Sequence, residues 1–251
     1  MMDSKPPQGA QAALRAIRLL KLFTSEKPEM TLAEMSRASN LNKTTAHRLL
    51  RALQSESLVE RNPATSAYSL GPGLMALGVQ ALASSDLRRR VRPVLRSLAN
   101  ESGETATLEV PVERSMLILD EVAGSHVLRS SGNVGTLWPL HATSTGKAFL
   151  AFDEHGLERL DDDLPSLTAN TVVQREMFQR QLTDIRRRGY AVTVDELEDG
   201  FTAVATVIRG ALGDVQAALS IGGPTGRMSA SRRAELGASL CHAAARLSPE
   251  Y

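Results

Sequence analysis

Residues 31–55 read TLAEMSRASNLNKTTAHRLLRALQS, two short helical patterns joined by a polar turn. Wound at 3.6 residues per turn, the second pattern, Asn42 to Gln54, sets Ala46, Leu49, Leu50 and Leu53 on one apolar stripe. Thr44, Arg48, Arg51 and Ser55 fall on the opposite face, flanked by Lys43 and His47, and no Asp or Glu occurs between Asn42 and Ser55. A solvated helix normally mixes both signs of charge, so a carboxylate-free face suits phosphates and base edges. Thr31 followed by Glu34 makes a capping box for the first helix, and Ser39 with Asn40 supplies the turn. The pattern is that of a DNA-reading helix-turn-helix.

Working outward, Ala10, Ala13, Leu14, Ile17 and Leu20 form one helical stripe, while Leu19, Leu22 and Phe23 form a second. A helix apolar on two sides needs two partners, and a second copy of the chain can be one of them. Downstream, residues 58–61 and 67–70 alternate as two short strands around Asn62-Pro63-Ala64-Thr65-Ser66. Three helices and a hairpin make a winged helix. Ten basic against six acidic residues give residues 1–70 a formal charge of +4, which leaves −3 for the rest of a chain whose total is +1. That split suits one polyanion-binding module and one module with another task.

The 251 residues allow two ordinary domains. Residues 1–11 are polar, with two prolines and no apolar core, unlike a signal peptide or anchor. No apolar run nears the roughly 20 residues of a membrane span. The single Cys241 can form no internal disulfide and is expected as a small apolar residue on the last helix, so the reducing cytoplasm is the expected compartment. Gly71-Pro72-Gly73 ends the wing, and Leu74 to Ser84 predicts a linker helix. Beyond it the chain predicts a helix over 88–101, strands at 106–110, 116–122 and 127–130, a helix opening near Ser144, and another over 174–188 closed by Gly189. Strands at 190–194, 203–208 and 215–221 precede a last helix, Ala230 to Leu247, capped by Ser229. The expected fold class is α+β: helices on a mostly antiparallel sheet, in a domain of about 160 residues that encloses its own core.

Three segments carry a resemblance to a known family: Ala13 to Leu70 around the TLAEMSRASNLNKTTAHRLLRAL core, Pro139 to Ala148 (PLHATSTGKA), and Gly200 to Pro224 (GFTAVATVIRGALGDVQAALSIGGP). Across residues 10–247 the chain resembles the IclR family of bacterial transcriptional regulators. The resemblance implies a winged helix-turn-helix domain over 8–70, a linker helix over 71–85, and a GAF/PAS-like effector-binding domain over 86–248. It also implies a homodimer or dimer of dimers that binds double-stranded operator DNA and represses or activates a catabolic operon, with a small organic acid or aromatic metabolite as effector. The effector pocket carried over from the family comprises Leu140, Ser144, Thr145, Asp195, Ala203, Ser220 and Gly222, with Asp195 and Ser220 as polar contacts. Ala203 stands where many relatives have Cys, which leaves the effector class open; the matched positions hold no clear cationic anchor, and Arg129 is a candidate nearby. Small residues at these positions would leave volume beside the sheet, with Leu137 and Trp138 as an apolar wall.

For DNA, Thr44 and Arg48 are expected at base edges. Lys43, Arg51, Arg61 and Asn62 are expected at phosphates, with Thr45 and His47 completing the surface. Catalysis has little support. Thr145-Gly146-Lys147 resembles a phosphate-binding loop, yet His141 and Ala148 occupy two of its four fixed positions. Gly222-Gly223-Pro224-Thr225-Gly226-Arg227 lacks dinucleotide-binding spacing. His126, His141 and His155 with Asp120, Asp195 and Asp161-Asp162-Asp163 lack metal-ligand spacing. No enzyme activity, cofactor or metal is therefore expected. The alternative is a DNA-binding architectural protein whose rear domain has a filled core.

Overall fold

The computed structural model describes residues 10–24, 26–126 and 133–248. The chain divides into two compact units, Met1–Ser84 and Ser85–Tyr251.

In the first unit, helix α1 (Gln11–Leu20) precedes a two-residue strand β1 (Glu29–Met30) and α2 (Leu32–Ala38). The capping box forms: Glu34 N–H donates to Thr31 Oγ1 at 3.3 Å, and Thr31 N–H donates to Glu34 Oε2 at 2.8 Å. The Thr31 backbone N–H, helped by Lys27, lowers the Glu34 pKa to about 2. Asn40 closes the turn at φ 53°, a left-handed conformation that Asn tolerates. Asn42 Oδ1 then accepts from Thr45 N–H at 2.8 Å and caps α3 (Lys43–Ser55). Asn42→Ala should cost about 1 kcal/mol, read from the denaturant midpoint.

The predicted stripe Ala46, Leu49, Leu50 and Leu53 is buried, and most of it packs with Leu19, Met30, Met35, Val59 and Tyr68. Strands β2 (Val59–Arg61) and β3 (Tyr68–Leu70) form the wing, and β1 adds to β3 in an antiparallel β1-β3-β2 sheet. A two-residue strand carries no periodicity, so β1 is invisible in sequence. Helix α4 (Pro72–Ser84) starts two residues before the expected Leu74, with Pro72 at its first position. Gly71 and Gly73 lie so close to the carbonyl of Ser57 that a Cβ at either would fall within 3 Å of it.

The second unit is a six-stranded antiparallel sheet flanked by helices. Helix α5 (Asp86–Ser102) is capped by Ser85 and closed by Gly103 in the left-handed region. The strands are β4 (Thr105–Val112), β5 (Ser115–Val122), β6 (Leu137–Pro139), β7 (Ala191–Val194), β8 (Phe201–Arg209) and β9 (Val215–Pro224), in the order β6-β5-β4-β9-β8-β7. Helices α6 (Ser144–Phe152), α7 (Arg175–Arg188) and α8 (Ala230–Leu247) complete the unit. Gly189 at φ 88° closes α7, and Ser229 caps α8. The expected strand at 127–130 lies outside the described residues, and β6 was not anticipated.

Strand alternation assigns the two faces. Ala106 and Leu108 of β4, Val204 and Ile208 of β8, and Leu219 and Ile221 of β9 pack with Leu95 and Leu98 of α5 and Leu236 and Leu240 of α8. The opposite residues Ala205, Val207 and Ala218 pack with Phe149 and Leu150 of α6 and Phe178, Leu182 and Ile185 of α7. The remaining residues of this second face, Thr105, Thr107, Glu109, Ala203, Ser220 and Gly222, line a cavity instead.

Candidate functional site

On α3, Lys43, Thr44, His47, Arg48 and Arg51 are exposed on the side away from the buried leucines, and Thr45 is half-buried with its N–H in the Asn42 cap. In the wing, the Arg61 guanidinium lies 5.9 Å from the Tyr68 ring centroid. Asn62 Oδ1 accepts from Ala64 N–H at 2.9 Å and from Thr65 N–H at 3.3 Å. Its carbonyl oxygen therefore builds the wing turn, leaving its amide group as the donor available to a phosphate.

The cavity of the second unit measures about 50 Å³, against the ~10–15 Å³ that one water needs. Of the expected residues, Ser144, Thr145, Ala203, Ser220 and Gly222 line it, as does Trp138. Leu137 does not and is exposed. Leu140 is placed in the core with Met116, Ala148 and Phe149. Asp195 also falls outside the lining: its backbone is left-handed at φ 55°, and its Oδ1 accepts from Gly200 N–H at 3.0 Å and Thr225 Oγ1 at 2.5 Å. Arg129 lies outside the described residues. Sequence reading missed Thr105, Thr107, Glu109, Ile118, Glu121, Thr143, Thr193, Leu197 and Phe201. Alternation along β4 would have grouped Thr105, Thr107 and Glu109 on one face, and nothing local distinguishes the rest.

The PLHATSTGKA segment is mostly scaffold. His141 Nε2 lies 2.8 Å from Pro165 O, and burial lowers the pKa of its ring. Thr143 Oγ1 donates to Pro139 O at 3.0 Å and accepts from Gly146 N–H at 3.1 Å, which caps α6. A Cβ on Gly146 would fall 2.2 Å from Leu140 O, so the close approach there requires glycine. Lys147 is fully buried; its Nζ pairs with Glu196 Oε2 and donates to Gln181 Oε1 at 2.8 Å. Burial lowers the Lys147 pKa, and the Glu196 carboxylate opposes that shift. Thr171 Oγ1 donates to Glu196 O at 2.7 Å. These bonds hold the 195–200 loop, whose Leu197 reaches the cavity.

At the cavity floor, Glu109 is 5% exposed. Its Oε1 accepts from Thr107 Oγ1 at 2.8 Å and its Oε2 from Thr145 Oγ1 at 2.7 Å. Ser220 Oγ lies 2.7 Å from Thr107 Oγ1. Burial raises the Glu109 pKa despite both hydroxyls, and Glu121 raises it further. A carboxyl whose folded pKa exceeds its unfolded value binds more protons in the native state, so its contribution to stability falls as pH rises through that interval. Glu109→Gln should therefore raise the melting temperature at pH 7, and the gain should vanish on titration below the unfolded carboxylate range near pH ~4.

The groups weighed for metal or acid–base chemistry are dispersed. Asp120 accepts from Arg88 and Arg92, His126 sits 3.3 Å from Glu104, and His155 sits 3.4 Å from Glu158. Among the described residues, no group of three or more His, Cys, Asp or Glu could hold a metal ion.

Comparison with known proteins bears on both units. The sequence model of the bacterial transcriptional regulator IclR C-terminal domain matches residues 79–249, and that of the IclR helix-turn-helix domain matches residues 12–63. The chain is 34% identical over 220 residues to the glycerol operon regulatory protein of Streptomyces griseus, covering 87% of this chain and 86% of that one. It is 30% identical over 246 residues to the transcriptional repressor IclR of Escherichia coli K12, with coverages of 96% and 90%. A crystal structure of an IclR homologue from Microbacterium hydrocarbonoxydans, complexed with 4-hydroxybenzoate, superposes with a TM-score of 0.73 at 26% identity, covering 94% and 97% of the two chains. These relatives are regulators or regulator homologues rather than enzymes. With more than half of its length inside the C-terminal model and its capped helix pair inside the helix-turn-helix model, the chain belongs to the IclR family of bacterial transcriptional regulators.

Proposed function

We propose that this chain is a ligand-responsive repressor or activator of a catabolic operon, without catalytic activity, working in the cytoplasm. In this reading residues 8–70 bind DNA, 71–85 link, and 86–248 bind the effector. The observation that carries it is the cavity: an architectural protein would fill the second face of its sheet, whereas small and polar residues hold it open here. No described helix is long and apolar enough to cross a membrane.

A dimer suits the exposed apolar residues of the first unit. Helix α4 buries none of its residues and exposes Met75, Leu77 and Val79 at 69%, 55% and 65%. On α1, Ala13 and Ile17 of the first predicted stripe stay exposed while Leu19 is buried. A second copy supplies their partner, alone or as a dimer of dimers. Two α3 helices would then enter successive major grooves with half-sites one turn, roughly 10 bp, apart or somewhat more. Arg48 and Thr44 read bases, while Lys43, Arg51, Arg61 and the Asn62 amide hold phosphates. Effector binding favours one arrangement of the DNA-binding pair, by no more than its differential affinity for the two states.

Of the two effector types the family resemblance allows, the lining favours a metabolite with an aromatic or other apolar body, set against Ile118, Trp138, Leu197 and Phe201. The homologue from Microbacterium hydrocarbonoxydans is complexed with an aromatic ligand, 4-hydroxybenzoate. A mobility-shift titration on the chain's own upstream DNA, at fixed salt with and without pooled catabolites, tests the reading. Saturable, competitor-resistant binding that changes with one pool is expected. Binding unchanged by every pool would favour the architectural protein.

A further inference from the structure

The cavity carries information about the ligand's polar head that the family resemblance does not. Its described charged residues are Glu109 and Glu121, both acidic, and no Lys, Arg or His is among them. The nearest buried cation in sequence, Lys147, is turned to Glu196 and Gln181. Thr107 and Thr145 each have one hydroxyl proton, and both donate it to Glu109. While Glu109 is ionised the Thr107 proton is so committed, and the Ser220–Thr107 contact then uses the Ser220 proton. All three hydroxyl protons thus run toward Glu109. What Glu109 and Ser220 turn to the cavity is therefore acceptors, the remaining lone pairs of Glu109 and the oxygen of Ser220, while donors enter the lining elsewhere, at the Trp138 indole and the Thr105, Ser144 and Thr193 hydroxyls.

We propose that the effector of this chain bears a non-anionic hydrogen-bond-donor head, an ammonium or a hydroxyl, seated against Glu109 and Ser220 with its apolar body toward Trp138 and Phe201. This rests on the reading of the cavity as the effector site. A carboxylate head would meet a buried carboxylate without a counter-charge, and like charges in a buried site disfavour each other strongly. An ammonium supplies the missing charge, and a hydroxyl supplies a proton to an acceptor that has room for one.

The test uses the full chain and trios that share one carbon frame and differ only in the head: benzylamine, benzyl alcohol and benzoate, then butylamine, butanol and butyrate. Binding is read by calorimetry and thermal shift. The amine or the alcohol should bind at least about tenfold tighter than the carboxylate of its frame, about 1.4 kcal/mol. Glu109→Gln, which keeps the volume and is expected to be the more stable protein at neutral pH, should abolish that preference. Loss in Glu109→Gln confined to the amine identifies an ammonium effector. Comparable loss for the alcohol, reproduced by Ser220→Ala, identifies a hydroxyl. Wild-type binding of benzoate or butyrate as tight as that of the matched neutral or cationic compound overturns the inference while leaving an effector site in place. Absence of binding by every compound to both proteins overturns the effector-site reading and the inference with it.

Discussion

Lys147→Ala should destabilise the second unit by about 3–5 kcal/mol, the cost of breaking a buried ion pair by removing one partner, measured as a shift of the urea midpoint. Both ends of the pair are buried, Lys147 at 0% and Glu196 at 5% exposure. The ammonium also lies 5.4 Å from the centroid of the Phe178 ring, so truncation opens space beside an aromatic side chain as well as orphaning the Glu196 carboxylate. Burial depresses the Lys147 pKa, which means that the pair stabilises the fold less than its closeness suggests. The size of the loss therefore comes mainly from the charge left behind. Combining Lys147→Met with Glu196→Gln should recover most of it, since neither variant side chain is charged. A double variant as unstable as Lys147→Ala would show that the orphaned carboxylate does not account for the loss. Because Leu197 follows Glu196 into the cavity lining, the single variant should also weaken effector binding, and the double variant should restore it.

Arg48→Ala should weaken operator binding by about 1–3 kcal/mol, roughly 5- to 150-fold, and relax sequence preference at one base position. Its side chain is exposed on α3 and belongs to none of the buried clusters, so melting should change by no more than about 0.5 kcal/mol. The proposed roles separate by salt. A base-reading arginine changes the preference among operator variants, whereas a phosphate contact weakens all of them alike and lowers the salt slope by about 1. Lys43→Ala serves as the comparison, with uniform weakening expected. Uniform weakening by Arg48→Ala as well would reassign Arg48 to the backbone and leave Thr44 as the base-reading residue of α3.

What the sequence determined by itself is what short-range physics controls. The caps at Thr31, Asn42 and Ser229 and the stop at Gly189 each involve groups within four residues of one another, so residue type and spacing suffice. The stripe Ala46, Leu49, Leu50 and Leu53 needed only the period of a helix. Short strands were less legible. β1 has two residues and β6 has three, and each exists because a longer strand offers it hydrogen bonds. The effector cavity depended almost wholly on tertiary structure. Asp195 and Ser220 looked equivalent in sequence, yet the left-handed backbone at Asp195 turns its carboxylate to Gly200 and Thr225, while the alternation of β9 points Ser220 into the cavity. Lys147, legible only as part of a family-matched segment and of a failed phosphate-loop match, finds its partner 49 positions away. Glu109 read as one polar residue in an alternating strand. Its bond to Thr107, two positions back on the same strand, is local, but the β4–β9 register set Ser220 opposite Thr107 and the seating of α6 brought in Thr145, 36 positions on. Local hydrogen bonds and helical periodicity are set by covalent neighbours, whereas the polarity of a buried site is set by which strand faces and helix ends the folded sheet brings together.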